Sequence, residues 1–216
     1  MSQDRRCPGQ REETKKKLAI SCDNQPFIAK APLILIFLAD YSKWYKYYEV
    51  NGVREFQKDR GETFAGPSAG SFVLAVQDAV IAAENAVIAA ESLGIGSCYI
   101  GDIMEQKEYH KTLFNLPEYV FPVAMLTLGY YPEDYMVPLK ERFAEKYVVF
   151  EERYNELSKE DIDDMFRKRD QLFTAKNKYN AKNYAQMHYN FKVKAPFSKE
   201  MQRSVEEALK EWGKKE

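Results

Sequence analysis

Few residues in this chain are of types that do covalent chemistry, and their spacing narrows the choice. The two histidines, His110 and His188, stand far apart, and the three cysteines, Cys7, Cys22 and Cys98, form no C-x-x-C pair. A histidine-built metal centre would need most of its ligands elsewhere, and a Ser-His-Asp or Cys-His mechanism has only two imidazoles to choose from. Both histidines read as structural or surface residues; no metal site and no catalytic side chain is expected. Backbone and cations are the remaining sources of chemistry. Gly94 to Gly101 reads GIGSCYIG and holds three of the chain's ten glycines. Such a segment lets main-chain amides come close to a flat or anionic ligand. It is not a Rossmann fingerprint, because Tyr99 stands where the third glycine belongs and the segment follows a helical pattern instead of a strand. Its structural alternative is a helix C-cap at Gly94 feeding a short strand. The second candidate is Lys140 with Arg142, just after Pro132 and Pro138. Two cations one residue apart can converge on a phosphate if the backbone is extended, although exposed lysine and arginine usually only meet water.

The elements that must position these residues are legible as apolar runs. Leu33 to Ala39 (LILIFLA) is apolar without alternation, which predicts a strand buried on both faces. Pro122 to Gly129 (PVAMLTLG) predicts a second central strand that stops at a glycine. Between them, Ser71 to Leu93 carries Gln77-Asp78, Glu84-Asn85 and Glu91-Ser92 at a seven-residue interval, so its polar residues form one narrow helical stripe. Lipid would not tolerate that stripe, and the apolar remainder predicts a core helix surrounded by protein on most sides, with a subunit interface as a further use. Strand, excursion, helix and strand in that order predict an α/β or α+β sandwich. The excursion from Tyr41 to Pro67 concentrates Tyr41, Trp44, Tyr45, Tyr47, Tyr48 and Phe56, enough to line a pocket or to pack a helix onto the domain. Glu151 to Lys178 is highly charged, with Ser158 and Asp161 spaced as a capping box. A last helix is expected from Ser198, with Met201, Val205, Leu209 and Trp212 on its buried edge.

Composition sets the outer limits. The chain has 216 residues, 45% hydrophobic and 30% charged, and its 32 basic residues against 33 acidic ones give a net charge of −1. One domain spanning residues 1–216 is expected, with no global field to attract nucleic acid or an anionic membrane. An odd cysteine count and a polar start, Met1 to Lys17, without an apolar stretch point to a reducing, cytoplasmic setting.

Four segments occur together in an order that resembles the FMN-dependent nitroreductase family. They are DNQPFIAKAPLILIFLAD (Asp23 to Asp40), ESLGIGSCYIGDI (Glu91 to Ile103), MLTLGYYPEDYMVPLKERF (Met125 to Phe143) followed by VVFEERY (Val148 to Tyr154), and FSKEMQRSVEEALKEW (Phe197 to Trp212). The last is similar to the closing arm of the longer, oxygen-insensitive subgroup. The resemblance implies an α+β fold with a mixed or antiparallel central sheet flanked by helices, and a buried central helix at a homodimer interface. Residues 151–216 would form a helical arm of the same domain. By similarity, Gln25 would meet the pyrimidine edge of FMN, the backbone of Tyr99, Ile100 and Gly101 would face the ring near N5, and Lys140 and Arg142 would hold the phosphate. The implied activity is hydride transfer from NAD(P)H through FMN to a small-molecule acceptor such as a nitroaromatic, a quinone or another flavin. No protein nucleophile is then required.

In one respect the chain departs from the family. Members open with a helix, an arginine-serine-arginine motif that binds the flavin phosphate, and a serine- and asparagine-containing segment, all upstream of the counterpart of Gln25. Here Arg5-Arg6-Cys7 is followed by Pro8 and lies too close to Gln25 to match. The resemblance therefore implies an N-terminally shortened domain with weakened or absent flavin occupancy, and, as the alternative function, a noncatalytic nitroreductase-fold protein that dimerises or binds a small molecule without turnover.

Overall fold

In a computed structural model of the protein, the residues described are 8–136, 139 and 141–213. They divide into two compact units, one formed by the chain up to Pro132 together with the segment from Lys199 onward, the other by Glu133–Ser198.

The first unit is built on a three-stranded antiparallel sheet. In chain order its elements are α1 (Pro8–Ser21), α2 (Pro26–Lys30), β1 (Leu33–Asp40), α3 (Ser42–Val50), α4 (Val53–Asp59), α5 (Ala69–Ser92), β2 (Ile95–Ile100), α6 (Lys107–Phe114) and β3 (Val120–Tyr130). The strand order β1-β3-β2 puts β3 in the middle, and its residues are buried from Val120 through Leu128. A proline inside a central strand removes a ladder donor. Here the register shifts between Phe37 and Leu38, opposite Ala124 and Pro122, so a local irregularity accommodates the missing N–H.

Both faces of the sheet are covered, which explains why β1 shows no alternation. Ala39, Phe121 and Val123 pack with Phe72 and Ala79 of α5 on one side. Ile34 and Ile36 pack with Leu18, Cys22 and Ile28 of the α1–α2 region on the other. The expectation that β1 is buried on both faces is nevertheless not met within one chain. It is an edge strand, most of its residues are half-buried, and only Ala39 is fully enclosed.

Helix α5 differs from expectation for a related reason. Ser68 and Ser71 cap each other at its start, Ser71 N donating to Ser68 Oγ at 3.2 Å. Its end is Gly94 at φ +71°, a left-handed position that favours glycine. Phe72, Ala79, Ala83 and Ala90 face the unit's interior, but Leu74, Ile81 and Ile88 are each more than 60% exposed. The sheet covers one side of the helix only, so a single chain does not surround it. By length and composition alone, α5 is also the one helix among the described residues long and apolar enough to cross a membrane.

The last helix, α9 (Pro196–Trp212), begins two residues earlier than expected, with proline at its first position, where the missing N–H costs nothing. Of its predicted edge, Val205 and Leu209 pack on the core and Trp212 is buried among Tyr41, Phe72 and Tyr119, while Met201 is only half-buried and Ser204 and Ala208 complete the buried face.

The second unit contains α7 (Lys159–Asp170) and α8 (Tyr184–His188), which runs into a wider turn at Tyr189–Val193. The predicted capping box is present, Asp161 N donating to Ser158 Oγ at 3.1 Å and Ser158 N to Asp161 Oδ2 at 3.0 Å. Phe143 stacks near Phe166, and the Arg169 guanidinium lies 4.5 Å from the Phe143 ring centre. The Tyr147 hydroxyl donates to Asp164, which, with Lys146, holds that carboxylate below its ordinary range.

Candidate functional site

Gln25 is placed by an abrupt turn after α1. Asp23 and Asn24 take left-handed conformations, φ 56° and 52°, which short polar side chains tolerate better than most. The Gln25 amide N–H then donates to Ala19 O at 2.8 Å, and the residue sits at the N-cap of α2. Its side-chain nitrogen donates to Cys22 O at 2.9 Å and to Asp102 Oδ2 at 2.7 Å. Both neighbours are acceptors, so the amide nitrogen must be the atom between them and Oε1 is left to accept from something else.

The glycine segment reaches the same place from the other side. Gly94 ends α5, β2 follows, and a 3₁₀ turn over Gly101–Met104 closes the segment, so the structural reading of a cap feeding a strand is what the chain adopts. Gly96 is required by packing, since a Cβ there would come within 2.4 Å of the Tyr131 ring. Gly101 is different: a Cβ would meet nothing within 4 Å, so a side chain would fill open space beside the strand end. Ile100 is buried, and only its backbone can face a ligand. Tyr99 is 43% exposed, with its hydroxyl donating to Glu84 of α5 at 3.2 Å. Asp102 follows Gly101 directly, so its hydrogen bond to Gln25 draws four sequence-predicted residues, Gln25, Tyr99, Ile100 and Gly101, into one region of the first unit.

Beneath that region lies a polar cluster. Glu105 is buried, and one of its oxygens, Oε1, has no hydrogen-bond partner among the described residues. Burial first, and then the neighbouring carboxyls of Asp102, Asp23 and Glu200, push its carboxyl up to about 8. Because the folded chain holds this proton more tightly than the unfolded chain does, the stabilisation is complete below the ordinary glutamate range and is lost as pH rises toward 8. Ser21 Oγ and His110 Nε2 lie 2.8 Å apart, both buried, and burial pushes the imidazole down. Burial likewise pushes the Cys22 thiol up to about 12, which makes it a poor nucleophile.

Helix α9 braces the same corner. Gln106 is left-handed and supplies no cap of its own to α6. Instead Gln106 N donates to Glu200 Oε1 at 3.2 Å and Lys107 N to Ser204 Oγ at 3.1 Å, so a distant helix satisfies donors at the start of α6. Lys107 and Lys111 both pair with Glu211, the latter at 2.7 Å.

Arg142 belongs to the second unit, where it is exposed and forms no ion pair among the described residues. It lines a cleft of about 920 Å³ with Phe143, Tyr147, Arg167, Lys168 and Arg169. Lys140 lies outside the described residues. Sequence reasoning missed Asp102 and Glu105. The available signal was the pattern of two acids flanking the apolar pair Ile103-Met104 immediately after the glycine turn.

Comparison with known proteins bears on the fold. A solved structure of NfrA2 from B. megaterium superposes with a TM-score of 0.71 at 32% identity, covering 91% of this chain and 76% of that one. An FMN reductase [NAD(P)H] of Bacillus subtilis (strain 168) is 28% identical over 145 residues, 67% of this chain and 55% of the relative. A CR(VI) reductase of Pseudomonas sp. (strain G-1) is 30% identical over 118 residues, 55% of this chain and 45% of the relative. The chain thus spans about half the length of the curated relatives it matches. The profile of the nitroreductase family matches residues 3–130, a stretch that holds the whole sheet, Gln25 and the glycine turn. That match covers more than half of the chain, which therefore belongs to the nitroreductase family.

Proposed function

We propose that this protein is a flavin-dependent oxidoreductase that passes hydride from NAD(P)H to a small oxidised acceptor, a nitroaromatic, a quinone or a second flavin. The observation that carries the reading is the 2.7 Å hydrogen bond from Gln25 to Asp102, which ties an amide oxygen without a partner among the described residues to the glycine turn across 77 residues of sequence. The residues fit FMN. Gln25 Oε1 can accept from the ring's pyrimidine edge, and Gly101 keeps clear the space a side chain would take from a flat ring. Tyr99 and Ile100 contribute backbone; for the phosphate it is the family resemblance that nominates Lys140 and Arg142, the latter exposed and without an ion pair among the described residues. When bound, the flavin supplies the hydride relay between nicotinamide and acceptor. The protein's part is to hold the ring, donate main-chain hydrogen bonds, and leave one face open for two substrates in turn.

A homodimer goes with this reading. Leu74, Ile81 and Ile88 recur every seven residues on the exposed side of α5, and an apolar stripe of that length on a helix otherwise committed to the core is suited to a second copy. The unpaired thiols of Cys22 and Cys98 support a reducing, cytoplasmic setting.

The activity is tested by following NAD(P)H oxidation with added FMN and a nitroaromatic or quinone. Acceptor-dependent oxidation is expected; none at saturating FMN would contradict it and favour a noncatalytic binding protein. Arg142→Ala is expected to weaken FMN by about 10- to 100-fold, the loss of one charge-assisted hydrogen bond worth roughly 1.5–3 kcal/mol. Isothermal titration compares FMN with riboflavin, which lacks the phosphate. Riboflavin affinity should not change, and an equal loss for both would remove Arg142 from the phosphate site.

A further inference from the structure

The flavin reading leaves the buried acids under the glycine turn without a role, and their geometry supplies one. Asp102 Oδ2 accepts from Gln25 Nε2 at 2.7 Å while Cys22 O takes the other amide hydrogen at 2.9 Å, so the Gln25 side chain is held by both of its donors. Glu105 ends the same 3₁₀ turn, its amide donating to Asp102 O at 3.0 Å and its carboxyl acted on by that of Asp102; it is only 5% exposed, and its Oε1 has no hydrogen-bond partner among the described residues. With no other donor to Glu105 Oε1 among the described residues, two adjoining carboxyl groups satisfy each other when one carries a proton and donates it to the other. The more buried of the two is Glu105.

The pyrimidine edge of an oxidised flavin offers two carbonyl acceptors and one donor, N3–H. A glutamine free to rotate could offer either end of its amide to that edge. One whose N–H groups are both engaged offers only an acceptor, and it selects N3–H.

Building on the flavin reading above, we propose that Asp102 and Glu105 are positioning residues that act through Gln25. Glu105 donates its proton to Asp102, Asp102 accepts from the Gln25 amide, and Gln25 is thereby fixed with Oε1 available to the flavin N3–H. Ionisation of Glu105 places two negative carboxyls side by side and loosens the arrangement. The other titratable groups facing Glu105 are Asp23, from the turn after α1, Glu200, from α9, the Cys22 thiol, and His110, which packs against its backbone. The two acids add to the difficulty of ionising Glu105.

The test is FMN affinity by fluorescence quenching, from pH 6.5 to 9, for the wild-type chain and for Glu105→Gln, Asp102→Ala, Gln25→Ala and Asp102→Ala/Gln25→Ala. Wild-type affinity is expected to fall about three- to tenfold across pH 8, as for one lost hydrogen bond, while Glu105→Gln stays level and close to wild type at pH 7. Asp102→Ala should weaken FMN by about the same factor at pH 7, but should add nothing once Gln25 is already alanine. An equal loss from Asp102→Ala in both backgrounds, or an unchanged pH profile in Glu105→Gln, overturns the proposal while leaving the flavin reading in place. A wild-type chain that binds no FMN at any pH overturns the flavin reading and with it this role. In flavin-free protein, the denaturation midpoint should decline from pH 5 to 8 in wild type and decline less in Glu105→Gln. The same decline in both places the proton elsewhere.

Discussion

Replacing Trp212 by alanine is expected to lower the stability of the first unit by about 3–5 kcal/mol, the usual range for truncating a fully buried large aromatic. The indole is 1% exposed, with ring centres at 5.1 Å from Phe72, 6.0 Å from Tyr41 and 6.2 Å from Tyr119. Two of these pairs are close to edge-on, an arrangement favourable beyond the area it buries. Because α9 also supplies the groups that cap α6, a loosened α9 should reach the polar corner under the glycine turn. Urea denaturation followed by far-ultraviolet circular dichroism measures the effect. Trp212→Phe, which keeps a ring against Phe72, should lose clearly less than Trp212→Ala. A Trp212→Ala loss below about 1 kcal/mol, the level of an ordinary surface change, would mean that α9 is not docked as described.

The second large effect concerns the exposed side of α5. Ile81→Glu is expected to raise the dissociation constant of the proposed dimer by about 100-fold or more, because a carboxylate buried without a partner costs about 3–5 kcal/mol. Ile81 is 66% exposed in the single chain and lies at the middle of the stripe between Leu74 and Ile88, so the change should leave the monomer's fold nearly untouched. Sedimentation velocity at several concentrations distinguishes the species. Wild type sedimenting as a monomer throughout, or Ile81→Glu dimerising as well as wild type, removes the dimer assigned to this face. The thermal midpoint of a dissociated Ile81→Glu chain measured beside it separates lost association from lost folding.

Much of this fold is readable in the residues because both sheet faces are covered. That is why LILIFLA and PVAMLTLG are continuous apolar runs, and why two strands can be recognised without alternation. The helix caps at Ser158 and Gly94 are equally local, written in a side-chain spacing and in a glycine at φ +71°. What resisted reading is non-local. Whether β1 is central or at an edge depends on how many strands pair beside it, which no single run encodes. The exposure of α5 depends on what lies beyond the chain's own sheet. The start of α6 is capped by Glu200 and Ser204, more than ninety residues later, so no nearby pattern announces it.

The candidate site divides in the same way. Gly94 to Gly101 stands out as a glycine-bearing segment, while Gln25 and the particular positions Tyr99 to Gly101 are found through resemblance alone, since one glutamine before a proline carries no signal of its own. Asp102 and Glu105 carry no local signal beyond two acids separated by Ile103 and Met104. Their meaning comes from the fold that buries one of them and sets the other against Gln25, with Glu105 pushed up to about 8 as the consequence.

The central claim is that Gln25 and the glycine turn form part of a flavin site, and the visible absorption spectrum of the purified chain titrated with FMN tests it most directly. The account predicts a shifted, structured flavin band that saturates at one flavin per chain and bleaches when NAD(P)H is added under nitrogen. Gln25→Ala should weaken that binding about three- to tenfold, as for one neutral hydrogen bond. A flavin spectrum identical to that of free FMN at every ratio, in a chain shown by circular dichroism to be folded, would contradict it.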